Sequence, residues 1–60
     1  MNRILERAKN NSNNKWAWYE VAKNIFATSV DQLYDYAKRY GIPTNREAML
    51  DGYLEWKVAR

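Results

Sequence analysis

Asp31 with Asp35, and Asp51 with Glu55, have the spacing in this 60-residue chain that acid–base chemistry uses. In each pair the second residue stands one helical turn after the first. Such a pair becomes catalytic when its surroundings push the two pKa values apart, so that one carboxyl keeps a proton the other gives up. Nothing else in the sequence stands by to complete a site. It has no histidine and no cysteine, hence no imidazole proton carrier, no thiolate nucleophile and neither of the usual zinc ligands. Its only glycines, Gly41 and Gly52, make no phosphate-cradling loop. Both pairs therefore read as solvated helix faces, with Asp31 near a helix start, where negative charge is favoured. Glu20 and Lys23 read as an ordinary surface pair. The expectation is a protein that is not an enzyme and takes no metal, cofactor or small-molecule substrate.

The chemistry that remains is binding. The formal net charge is +3. Through Thr28 the cations are Arg3, Arg7, Lys9, Lys15 and Lys23 against only Glu6 and Glu20; from Ser29 onward the two signs balance. All the excess positive charge thus sits in the first half. Clustered cations suit phosphate, because neutralising it releases condensed counterions. Arg3, Arg7, Lys9, Lys15 and Lys23 are therefore the candidate phosphate contacts, with Lys38 and Arg39 as a clamp farther along.

Aromatic residues supply the second binding chemistry. A chain this short, without disulfides, needs large rings to fill its core, and it has three Trp, five Tyr and one Phe. Trp18, Tyr40, Tyr53 and Trp56 fall on inward stripes and are expected in the core. Trp16, Tyr19, Tyr34 and Tyr36 exceed what one inward side can bury. Surplus rings suit a protein partner, with Asp31 and Asp35 beside them selecting its charge.

Local signals place these residues on helices. The strongest run is Thr28 to Thr44. Ser29 has the side chain of an N-cap and Gln32 the position of its reciprocal partner in a capping box. Val30, Leu33, Ala37 and Tyr40 make the apolar stripe. Gly41 ends the helix in the left-handed conformation, Ile42 packs behind it and Pro43 forbids resumption. Before this lie a short helix over 1–9, an Asn-rich linker over 10–14 and a helix over 15–26 with Trp18, Val21, Ala22 and Ile25 inward. After it, Thr44 and Glu47 form a second capping box opening a helix over 45–58. There Met49, Tyr53 and Trp56 face in, Leu50 and Leu54 flank them, and Gly52 marks a close approach of two backbones. The expected fold is all-α: one small domain over 1–60, a bundle of three to four short helices with a helix-turn-helix-like centre. No apolar run is long enough to span a membrane, and the expected setting is the cytoplasm.

Residues 22–43 resemble a Fis-type, homeodomain-like helix-turn-helix. Ala22, Ala27 in the turn, the capping Ser29, Leu33-Tyr34 and the close in Lys38-Arg39-Tyr40-Gly41-Ile42 carry the resemblance. It implies a small DNA-binding accessory or regulatory protein whose second helix enters the major groove. The chain departs from that pattern where function is decided. Val30, Asp31, Asp35 and Tyr36 occupy places where such readers carry Arg, Asn and Lys, and carboxylates there face phosphate repulsion. The second expectation is therefore a small protein-binding inhibitor or adaptor of the phage-encoded kind, using Trp16, Tyr19, Asp31, Tyr34, Asp35 and Tyr36. The expected partner is DNA or a host protein, with a homodimer as third possibility.

Overall fold

Four helices run in order through the computed structural model, which describes residues 3–59: α1 (Arg3–Asn10), α2 (Lys15–Ile25), α3 (Val30–Tyr40) and α4 (Arg46–Ala59). No strand occurs among the described residues. The chain is an all-α bundle with a radius of gyration of 9.8 Å. The helix expected over 1–9 extends one residue further, to Asn10; Met1 and Asn2 lie outside the described residues.

The bundle is organised by α2 and α4, which make the most extensive contact between any two helices. Trp18, Val21 and Ala22 on α2 are fully buried, and Met49 on α4 joins them. A Trp side chain buries roughly 150–250 Å². At about 25 cal/mol per Å² that contributes about 4–6 kcal/mol before conformational entropy is charged. The helices come this close because Gly52 has no side chain. A Cβ there would stand 2.6 Å from the Lys15 carbonyl oxygen, 2.6 Å from Trp18 Cβ and 2.8 Å from the Tyr19 nitrogen. The close approach expected at Gly52 is what the structure shows.

The remaining helices dock on this pair. Ala8 of α1 is fully buried, with Ile4 and Leu5 packed against the core, so α1 is held although it is short. Leu33 and Ala37 bring α3 in, with Val30 and Tyr34 partly buried beside them. The Asn-rich linker is fixed from the core side. Trp18 Nε1 donates to the Ser12 carbonyl at 2.6 Å, and Asn14 accepts from the Trp16 amide at 2.9 Å as the N-cap of α2.

Several local expectations change. Ser29 is the N-cap residue of α3, but its side chain makes no capping bond. Instead Gln32 Oε1 accepts from the Thr28 amide, one residue earlier than a capping box requires. At α4 the cap is Asn45 rather than Thr44: Asn45 Oδ1 accepts from the Ala48 amide at 3.1 Å, and the helix starts at Arg46. An amide oxygen one position closer takes over the role assigned to the Thr44 hydroxyl. Gly41 ends α3 as expected, at φ 70°, with the Ile42 amide donating to Ala37 O at 2.9 Å and Ile42 buried. Phe26 does not continue α2 but terminates it, at φ 51°.

Three inward assignments shift outward. Tyr40 is not core: it is 43% exposed, because a stripe ending at the last helical residue runs past the edge of its neighbours. Tyr53 and Trp56 are only partly buried against the core. Their polar tips explain the compromise, since Tyr53 OH donates to Thr28 O and Trp56 Nε1 to Ala27 O, each at 2.9 Å.

Gly52→Ala removes a backbone-entropy cost of about 1 kcal/mol but forces the two helices apart. The expected net result is destabilisation on the order of 2 kcal/mol, read as a lower urea midpoint with helical content retained at low temperature. A midpoint that rises would mean that α2 and α4 are not in this contact.

Candidate functional site

The outer face of α3 collects much of the surface chemistry. Asp31, Gln32, Asp35, Lys38 and Arg39 are exposed along it, and exposed Tyr40 stands at its edge, on the side of the helix opposite Asp31. Among the described residues neither Asp31 nor Asp35 forms an ion pair. Tyr36, partly buried, lies against Tyr40 with ring centroids 4.7 Å apart and planes tilted by 46°. With Ile25, Gln32, Asp35 and Arg39 the two rings line a shallow groove of about 290 Å³. The Tyr36 phenol is pushed above the usual 10.0, first by burial and then by the neighbouring Tyr40. Tyr34 is, like Tyr36, partly buried against the core, and it does not line this groove. Tyr40, assigned to the core, thus joins Tyr36 as a second ring in the groove that Asp35 lines.

The candidate phosphate contacts divide in two. Arg7 Nη1 binds both carboxylate oxygens of Glu20, the longer contact 2.8 Å, and so ties α1 to α2. Lys15 Nζ binds Glu55 Oε2 at 3.2 Å, tying α2 to α4, and lies 5.1 Å from the centre of the Trp16 ring. Partly exposed pairs of this sort contribute at most about 1 kcal/mol each. Even so, these two cations spend much of their charge within the molecule. Glu55, expected to partner Asp51 on a solvated face, is the carboxylate that Lys15 takes. Arg3, Lys9, Lys23, Lys38 and Arg39 are exposed and make no ion pair among the described residues. Lys38 and Arg39 occupy the last turn of α3, where positive charge complements the helix dipole whatever the protein binds.

Trp16 and Tyr19 belong to a separate surface. Their rings meet edge to face with centroids 5.7 Å apart, and Trp16 is 52% exposed. Tyr19 then opens onto a largely apolar groove of about 470 Å³, lined also by Ile4, Glu20, Lys23, Asn24, Phe26 and Trp56. Phe26 is the unexpected member. It is 75% exposed, with its ring edge to face against Trp56 at 6.4 Å. Its backbone occupies the left-handed region that Gly41 fills at the end of α3. A side chain there costs about 1–2 kcal/mol relative to glycine. Sequence periodicity alone placed Phe26 inside the helix; its proximity to Thr28-Ser29, the next helix start, was the available signal for a stop.

Among the described residues no three His, Cys, Asp or Glu side chains gather closely enough to hold a metal ion. No described helix is long and apolar enough to cross a membrane. No family model, curated protein or solved structure matches the chain.

Two outcomes follow from the unusual backbone and the raised phenol. Replacing Phe26 with Gly relieves the left-handed strain at the loss of an exposed ring, so the thermal midpoint is expected to stay level or rise. The same position in α3 gives the opposite sign, Gly41→Ala lowering stability by about 1 kcal/mol. The Tyr36 proton is held more tightly in the folded chain than in the unfolded one. The stability this adds is complete below pH 10 and declines as pH rises through the raised value. Urea midpoints measured between pH 8 and 11 should fall less steeply in Tyr36→Phe than in the wild type.

Proposed function

We propose that this chain is a small protein-binding module, of the inhibitor or adaptor kind, that engages its partner through the outer face of α3. The observation that carries this is the groove in which exposed Asp35 stands beside the Tyr36–Tyr40 rings, with exposed Asp31 one turn earlier on the same helix. Tyrosine supplies contact area with few torsions to freeze, and its hydroxyl remains compatible with water before binding. Two carboxylates one turn apart favour a partner surface of positive charge and repel a negative one. The intended partner is thus a protein face with basic residues around a shallow apolar patch.

Duplex DNA fits the same face less well. The helix that the helix-turn-helix resemblance would send into the major groove presents Asp31 and Asp35 toward the phosphates. Of the cations that would offset them, Arg7 and Lys15 already serve Glu20 and Glu55. What supports DNA binding is the remaining set of exposed cations, Arg3, Lys9, Lys23, Lys38 and Arg39.

The two readings separate in a paired experiment. Affinity capture after nuclease treatment should retain a protein with the wild type, and lose it at least about tenfold with Asp31→Lys/Asp35→Lys or Tyr40→Ala. Titration of a labelled duplex at low salt should show little binding. Capture that is indifferent to both variants, or duplex binding with a steep salt slope, would replace this proposal with the DNA-binding one.

A further inference from the structure

Two exposed apolar features lie away from the outer face of α3. The first is a ridge on α4. Leu50, Leu54 and Val58 recur at four-residue steps and are 39%, 54% and 85% exposed. At 100° per residue they stand on the side of α4 opposite Gly52, which is buried against α2. Glu47 and Asp51, both exposed, run along one flank of this ridge, three residues before Leu50 and Leu54, while exposed Arg46 and Lys57 run along the other. The second feature is the groove walled by Tyr19 and Phe26. Its two charged lining residues are Glu20 and Lys23. Arg7 neutralises Glu20, which leaves the Lys23 ammonium as the charge on its rim.

We propose that these features are the two halves of a single contact between copies of this chain: the α4 ridge of one copy seats in the Phe26 groove of the next. A convex row of aliphatic side chains meets a concave, largely aromatic wall. Leu54, at the middle of the ridge, packs beside Phe26, while Glu47 and Asp51 approach Lys23. The charges on that flank have opposite sign, and every lining residue of the groove except Trp56 lies in the half of the chain that carries the excess positive charge. One contact covers Phe26, Leu50, Leu54 and Val58, four of the six large apolar or aromatic side chains left exposed among the described residues. It also covers the ring held in the left-handed conformation, which touches Trp56 by an edge but stays 75% exposed within one copy. A ridge packed on a second ridge would leave that ring in water.

Because ridge and groove are different surfaces, the contact is head-to-tail. Each added copy offers a fresh ridge or groove, so assembly continues unless it closes into a ring. A three-residue ridge covers less than the roughly 800 Å² per partner of a standard interface, so each step is weak.

Sedimentation equilibrium over a dilution series of the full chain tests this. Average mass is expected to rise with concentration past that of a dimer. Phe26→Ala, which disables the groove, and Leu54→Asp, which disables the ridge, should each weaken association at least about tenfold. Circular dichroism checks that both variants remain folded, as substitutions at exposed positions should. Mixing the two variants is the decisive arm, because each keeps the half the other lacks. Their mixture should form a one-to-one pair and stop there. A wild type that stays monomeric at millimolar concentration overturns the proposal. So does a dimer that Leu54→Asp abolishes and Phe26→Ala leaves intact, which would identify ridge-on-ridge pairing. Since neither variant touches α3, partner capture through Asp31 and Tyr40 succeeds or fails separately.

Discussion

The approach of α4 to α2 at Gly52 sets the geometry on which the other contacts depend. Two helices carrying Trp18, Tyr53 and Trp56 would normally be held apart by their own bulk. Removing one side chain at the crossing lets the Lys15 carbonyl, the Tyr19 amide and the Trp18 Cβ come within a single atom's reach of α4, with the Trp18 indole itself enclosed in the core. A helix interior tolerates the roughly 1 kcal/mol entropy cost of glycine only where closer packing returns more. With no cysteine to staple it, a chain of this length draws its stability from that kind of packing.

The crossing also organises the loops, through the polar tips of the rings it gathers. Trp18 Nε1 holds the Ser12 carbonyl, while Trp56 Nε1 and Tyr53 OH hold those of Ala27 and Thr28. One linker leads from α1 and the other into α3, so both flanking helices are aimed by hydrogen bonds from α2 and α4. Rings that bury their bodies and spend their donors on loop carbonyls satisfy both demands of an interior made of tryptophan and tyrosine. Among the described residues no buried side-chain nitrogen or oxygen lacks a partner.

Surface chemistry is then partitioned by the same scaffold. Arg7 and Lys15 fasten helices together, whereas Asp31, Asp35 and the Tyr36–Tyr40 pair are left on a helix that contributes comparatively little to the core. The strained Phe26 is the clearest departure from what folding requires. Glycine would close α2 as Gly41 closes α3, without the cost. Local conformations that a fold does not need are often retained for what they present to a partner.

Helix content, the stop at Gly41, the inward positions of Trp18, Leu33, Ala37 and Met49, and the close packing at Gly52 were legible in the residues themselves. Each depends on periodicity or on the backbone freedom of a single residue, which are properties of a few neighbours in the chain. The outward orientation of Asp31 and Asp35 follows from the same stripe. Other features belonged to the tertiary structure, because they depend on what stands opposite. Which of Thr44 and Asn45 caps α4, whether Tyr40 reaches the core, and that Phe26 leaves the helix were all set by distances between elements. The division of the cations is the plainest case. Arg7 and Lys23 have the same formal charge in the sequence, and only the folding of α1 onto α2 gives one of them Glu20 and leaves the other facing water.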